Sequence, residues 1–422
     1  MDQRKMAVEL LDFLERSPSP CHAVANMAQL LEENGFQRLG EMERWELHPG
    51  GGYYVVRNDS ALICFRIPEG AWKGFHIVAS HSDSPTFKIK ENPEMESDGY
   101  VKLNVERYGG MLCAPWLDRP LSVAGRVAVR EKGAVRTRLV CVDRDLLLIP
   151  NLAVHMNRQA NEGISYNAQK DMLPLLGTAE AKGSFWKVVA EAAGVEEEAI
   201  LGHDLFLYNR QKGCIWGAGE EFLSCGRLDD LQCGFASLKG FLAGPKERWA
   251  AVACVLDNEE VGSSSRQGAS STFLRDVLWR INCGLGGDEE DYLCRIAGSF
   301  LISADNAHAV HPNYGEKADP VNRPKLNGGI VIKFSANQRY CTDAYSAAVM
   351  KELCREAEVP YQVFTNRSDM LGGSTLGNIS VSQVPVATVD IGLPQLAMHS
   401  PYETVGVRDT GYLIRALERF FV

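Results

Sequence analysis

Trp249-Ala250-Ala251-Val252-Ala253-Cys254-Val255-Leu256-Asp257-Asn258-Glu259-Glu260-Val261-Gly262 decides how this chain is read. Residues 249–256 are a short run of apolar residues with strand composition, and it ends directly in a cluster of acids. Two adjacent carboxylates where a buried strand stops repel each other unless something positive lies between them. The carboxyl edge of a parallel sheet is also where ligands bind, so a metal pair would account for them.

Working outward, the C-terminal half alternates. Leu228 to Leu242 reads as helix, Ser271 to Asn282 as helix, Phe300 to Ala304 as strand, Asp343 to Ala357 as helix and Pro385 to Ile391 as strand. That alternation builds a mostly parallel sheet with helices on both faces. Upstream, Glu91 to Ser224 has strand texture (Val123 to Arg130, Arg136 to Val142, Asp204 to Tyr208) and few helical patterns. Before it stand two amphipathic helices, Lys5 to Arg16 and Cys21 to Asn34, parted by Ser17-Pro18-Ser19-Pro20. The strands Tyr53 to Arg57, Ala61 to Arg66 and Gly74 to Ser80 follow. The expected architecture is an α/β catalytic domain from residues 1–90 and 226–422, interrupted by a β-rich domain from 91–225.

Composition narrows the function. With 422 residues, 45% hydrophobic and 23% charged, the chain has the make-up of a folded globular protein of two or three domains. A net charge of -10 with scattered Lys and Arg argues against nucleic acid and membrane surfaces as partners. Residues 1–16 mix charges into the apolar pattern, unlike an export signal, and no run reaches the roughly 18 apolar residues of a membrane span. Twelve cysteines without a C-x-x-C pair suit reduced thiols, so the expected location is cytoplasmic.

Four more signals join this acidic cluster, most of them at a strand end or in the segment just after one. His81-Ser82-Asp83 follows the strand Gly74 to Ser80, and a carboxylate two residues from an imidazole suits the orienting partner of a metal ligand. Asp305 ends Phe300 to Ala304. Asp229 opens the helix after Arg227, where its ordinary role would be an N-cap. His399 lies beyond Pro385 to Ile391. Together with Glu260 these give His81, Asp229, Glu260, Asp305 and His399, a nitrogen and oxygen set suited to two zinc-like ions bridged by one carboxylate. Glu259, beside a ligand, is then free to take a proton from a metal-activated water. No phosphate-binding loop, nucleophile elbow or H-E-x-x-H is present.

These motifs, with Trp116-Leu117-Asp118-Arg119 and Asp305-Asn306-Ala307-His308-Ala309-Val310-His311-Pro312-Asn313-Tyr314 in the same order, resemble the aspartyl aminopeptidase family of two-metal aminopeptidases nearly end to end. The resemblance implies removal of single residues from peptides with a free N-terminus, and two divalent ions per subunit, Zn2+ first with Co2+ or Mn2+ as alternatives. His81, Asp229 and Asp305 would hold one ion. Glu260 and His399 would hold the other, with Asp229 bridging, Asp83 orienting His81 and Glu259 as general base. It further implies a homo-oligomer, dimer-based and up to dodecameric, in which the inserted domain mediates dimerisation and His155 reaches the neighbouring subunit's site. Two departures stand out. Asn337 precedes Gln338-Arg339-Tyr340 where family members that prefer acidic residues carry lysine, and Cys225-Gly226 precedes Arg227 where proline is common. Two alternatives to an aminopeptidase remain from the residues alone: a two-metal deacylase or carboxypeptidase, and a peptide-binding scaffold whose site has decayed.

Overall fold

The structure, a computed structural model, describes residues 3–244 and 248–422. Its largest element is a nine-stranded mixed sheet in the order Gln37–Arg38, Gly52–Arg57, Ala61–Arg66, Ala250–Leu256, Phe75–His81, Phe300–Ala304, Ala387–Gly392, Ile330–Phe334, Tyr361–Thr365. The four strands Ala250–Leu256, Phe75–His81, Phe300–Ala304 and Ala387–Gly392 are mutually parallel and form its centre. Ala250–Leu256 threads between Ala61–Arg66 and Phe75–His81, which are neighbours in sequence but not in the sheet.

Each central strand buries both faces, which is why these stretches are nearly all apolar. Val78, Ala253 and Ile302 face one helical layer, which includes Leu10, Met27, Phe241 and Leu413. Ile77, Cys254 and Leu301 face the other, which includes Phe273, Leu278 and Ile296. Helices therefore cover both faces, as the alternation implies. The acidic run 288–291 starts the helix Glu289–Ala297: Asp288 accepts from the Asp291 N–H while Asp291 accepts from the Asp288 N–H, a reciprocal cap.

The β-rich stretch is a six-stranded antiparallel sheet in the order Ala134–Cys141, Leu121–Glu131, Ile200–Asn209, Thr86–Ser97, Tyr100–Tyr108, Leu175–Thr178. The helix Phe185–Ala193, which sequence reading misses, packs Phe185 and Val189 into its core. A third sheet joins Cys214–Trp216 and Phe222–Cys225 to Glu403–Gly406, Pro394–Leu396 and Ala307–His308. The six-stranded sheet thus spans Thr86 to Asn209, and the strands after it pair with segments near the end of the chain. Among the described residues no helix is long and apolar enough to cross a membrane.

Candidate metal centre

Register brings three of the sequence signals side by side. Leu256 pairs with His81, and Ser303 with Ala79, on adjacent parallel strands. Three neighbouring strands therefore end together, and His81, the 257–260 turn and Asp305 come out at one edge. Asp229 and Asp230 arrive from the start of the helix Leu228–Ala243. Neither has helical dihedrals, and Asp229 caps nothing with its side chain, so its carboxylate is free to face the edge. His399 lies in the link between Pro394–Leu396 and Glu403–Gly406 of the small sheet.

The five expected ligands converge. His81 Nε2 lies 3.6 Å from Asp229 Oδ1 and 3.9 Å from Asp305 Oδ1. His399 Nε2 lies 3.4 Å from Asp229 Oδ2 and 3.4 Å from Glu260 Oε2. Asp229 therefore turns one oxygen to each imidazole. A tetrahedral ion with bonds of about 2.0 Å needs its donors about 3.3 Å apart, close to these separations. Three buried carboxylate oxygens, Asp229 Oδ1, Asp230 Oδ1 and Glu260 Oε1, have no hydrogen-bond partner. Orphaned oxygens in a buried site need either a proton or a cation, and their convergence with two imidazoles makes the donor set fit divalent metal.

The surroundings orient the ligands. His81 Nδ1 is 3.1 Å from the Asp83 carbonyl oxygen and 3.3 Å from Asp83 Oδ1, which leaves Nε2 facing the centre. Asp83 also accepts the Glu259 N–H at 3.1 Å and the Glu260 N–H at 3.2 Å, so one buried carboxylate aligns a histidine and the acidic turn together. His399 donates its Nδ1–H to the Gly110 carbonyl. Glu259 is half-buried, and its carboxylate has no hydrogen bond to a described residue.

Charge crowding is severe. Burial pushes the Glu259 carboxyl up to about 8, with Asp305, Asp83 and Asp229 adding to the rise and His81 opposing it. Burial likewise raises Glu260 and Asp230 well above the carboxylate range, with Asp229 contributing to both. Burial would raise Asp229 too, but His399 and His81 outweigh it and hold that carboxyl down. His399 goes up to about 9, since its contact with Asp229 overcomes burial. Without cations, such a cluster has to retain protons.

Four residues of the centre escape sequence reading. Asp230 accepts the His81 backbone N–H at 3.1 Å and forms a second candidate cluster with His81 and Asp305. Glu403 accepts the N–H groups of Asp229 (3.1 Å) and His399 (2.8 Å), fixing two expected ligands from one side chain. Lys333 is buried with Nζ 3.7 Å from Asp305 Oδ2. Tyr108 donates to Asp83 Oδ2 at 2.7 Å. The only available signals were an acid four residues after His399 and a second acid beside Asp229.

Two residues singled out in the sequence, His155 as a site residue and Asn337 as a departure, do not touch the centre of this chain. His155 sits in an exposed loop of the β-rich stretch, next to exposed Leu152, Val154 and Met156, and no hydrogen bond or ion pair links it to the centre of its own chain. Asn337 lines a separate cleft with Arg339, Asp343 and Arg367.

With this geometry in place, comparison with known proteins is specific. The family described as aminopeptidase I zinc metalloprotease (M18) matches residues 13–421. A Clostridium acetobutylicum protein named probable M18 family aminopeptidase 2 is 48% identical over 429 residues, spanning 100% of this chain and 99% of that one. The solved Ape4 and Nbr1 complex contains a chain 37% identical with a TM-score of 0.96, covering 99% of this chain and 86% of that chain. The S. cerevisiae mApe1 dodecamer is 29% identical with a TM-score of 0.88, covering 100% and 97%.

Proposed function

Since the chain belongs to the M18 family of zinc metalloproteases and is a metal-dependent aminopeptidase, we propose that it works with two ions per subunit and Glu259 as general base. Family membership sets aside the deacylase and carboxypeptidase alternatives. The observation that carries the two-ion reading is Asp229, whose two oxygens face two different histidines. In this reading His81, Asp229 and Asp305 hold one ion, and Asp229, Glu260 and His399 hold the other.

Bound there, the ions would polarise the scissile carbonyl and make a water acidic enough to attack near neutral pH. Glu259 takes the proton of that water and returns it to the departing amine, a task suited to a half-buried carboxylate that no hydrogen bond from a described residue engages. Asp83 holds Glu259 by its backbone and His81 by its ring, keeping base and ligand in fixed relation. Glu403 does the same for Asp229 and His399.

We read residues 1–90 and 226–422 as the catalytic domain and 91–225 as the inserted dimerisation domain. The exposed apolar residues around His155 support a surface that a second subunit covers, with His155 gripping the carbonyl in that subunit's site. A dimer built into a dodecamer is the assembly proposed, the S. cerevisiae relative being a dodecamer. Twelve free cysteines support a reducing, cytoplasmic setting.

Glu259→Gln tests the chemistry. It keeps volume but cannot accept a proton, so turnover of a free-amine peptide should nearly vanish while metal per chain stays at the wild-type value. A near-normal rate would remove Glu259 from the mechanism.

A further inference from the structure

The segment Tyr108-Gly109-Gly110, where one strand of the six-stranded sheet ends, lies against several members of the centre at once. The Tyr108 hydroxyl donates to Asp83 Oδ2 at 2.7 Å and accepts from Asn258 Nδ2 at 2.8 Å. Gly109 has φ 79°, and a Cβ there would come within 3.1 Å of Glu260 Cβ, so glycine favours this approach on both counts. The Gly110 carbonyl takes the His399 ring proton, and the Leu112 N–H binds the His399 carbonyl at 3.1 Å.

Tyr108 meets the acidic turn from two directions. Asp83 Oδ2, which takes its proton, also accepts the Glu260 N–H, and the other Asp83 oxygen accepts the Glu259 N–H. Asn258, which binds the same hydroxyl, directly precedes Glu259 and holds a left-handed backbone with φ 62°. Its other amide atom is held by Gln267 Nε2 at 2.9 Å. One hydroxyl from the inserted sheet is thus the common partner of the carboxylate and the amide that brace the turn carrying Glu259.

We propose that Tyr108 is a positioning residue for Glu259, through which the inserted sheet sets the alignment of the catalytic turn. The idea rests on the reading of Glu259 as the base. Proton transfer requires the base within about 3 Å of the proton it takes, and small displacements are costly in rate. Burial, with Asp83 and Asp257 nearby, raises the Tyr108 hydroxyl far above its ordinary range, so it stays a donor at any working pH. The ring also packs edge-on against Phe206 with centroids 5.6 Å apart, a contact that phenylalanine would keep.

The test uses Tyr108→Phe, Asn258→Gly, their double variant and Glu259→Gln in the assembled zinc enzyme, reading kcat, KM, metal per chain and melting temperature. Asn258→Gly removes the amide but suits the left-handed backbone, so it serves if the tyrosine variant folds poorly. Each single change should lower kcat about tenfold to a hundredfold, the scale of a hydrogen bond to a charged group. KM and metal content should stay within about twofold. The double variant should be no slower than the slower single, because both bonds meet at one hydroxyl. In the Glu259→Gln background Tyr108→Phe should change nothing further. Wild-type kcat in Tyr108→Phe, metal loss matching its activity loss, or multiplicative losses in the double variant would each overturn the proposal. An active Glu259→Gln removes the base reading and this proposal together; an inactive Glu259→Gln with a fully active Tyr108→Phe removes only the proposal.

Discussion

His399 points its Nδ1 at the carbonyl oxygen of Gly110, 2.5 Å away. A carbonyl can only accept, so Nδ1 carries a proton in either charge state of the ring, and Nε2 is the nitrogen aimed at Asp229 and Glu260. The ring is therefore oriented as a ligand before any metal arrives, and binding has only to displace the proton that Asp229 holds at Nε2.

Asp229→Ala should lose metal together with activity. One side chain faces both imidazoles, and its removal leaves His81 and His399 without their shared acid. Changing a residue that merely orients a ligand typically costs about 10–100-fold, so deletion of this one should cost at least about a hundredfold in activity. Metal analysis by mass spectrometry checks it: two retained ions per chain would refute the bridging role.

The metal-free protein should become less stable as pH rises. Glu259 and Glu403 are raised to about 8 and Asp257 and Asp409 to about 7, in each case by burial first. A carboxyl raised above its unfolded value holds its proton more tightly in the folded state. Its contribution is complete below about pH 4 and is lost as pH climbs through the folded value. After chelation the melting temperature should fall between about pH 5 and pH 8. Added zinc should restore more at pH 8 than at pH 6, because ligands bind only when deprotonated. A chelated protein that melts higher at pH 8 than at pH 6 would contradict the charge assignment.

Mixed assemblies test His155. If it serves a neighbour's site, His155→Phe and Glu259→Gln chains are each inactive alone but complement one another after subunit exchange. Random mixing of two chains should return about a quarter of wild-type activity per site, since each half of a site is intact with probability about one half. Verified exchange without recovery would confine His155 to its own chain.

Substrate preference tests the lysine-to-Asn337 departure, which bears on the N-terminal side chain only if the cleft lined by Asn337 receives it. A neutral amide gives an acidic N-terminal side chain weaker hydrogen bonds than an ammonium would, and Lys333 is buried against Asp305. Neutral N-terminal residues should be cleaved at least as fast as Asp or Glu, and Asn337→Lys should shift the ratio towards the acidic ones. Rates on aspartyl and glutamyl peptides far above all others in the wild type would defeat this.

Much of the centre is legible in the sequence because three of its acid or histidine signals directly end short apolar strands, where composition alone marks the boundary. The opening helices and the central strands are readable for the same reason. The strands Ile330–Phe334 and Tyr361–Thr365 go unread: the first has a lysine inside its apolar run, and the second is a half-exposed edge strand. Glu403 is hidden because its role depends on a hairpin of strands only three and four residues long. Asp230 shares its type and neighbourhood with Asp229, and only the non-helical dihedrals of the pair send the two carboxylates to different partners. Tyr108 follows from the packing of the six-stranded sheet against the edge of the nine-stranded one, which no local pattern encodes.

The strand Ala250–Leu256, lodged between two strands that precede it by far in the chain, imposes an order on birth. A ribosome adds about 5–20 residues each second, so His81 waits about ten seconds or more before Ala250 is made. Until then any sheet formed by the earlier strands would have an open slot beside Phe75–His81, apolar on both faces and lined with unpaired backbone groups. Such a slot invites foreign strands and chaperones, and ribosome-stalled chains cut short before residue 250 should be far more protease-sensitive than chains extended well past residue 256. The same delay keeps the peptidase silent during synthesis, because the turn bearing Glu259 emerges only with the strand that fills the slot.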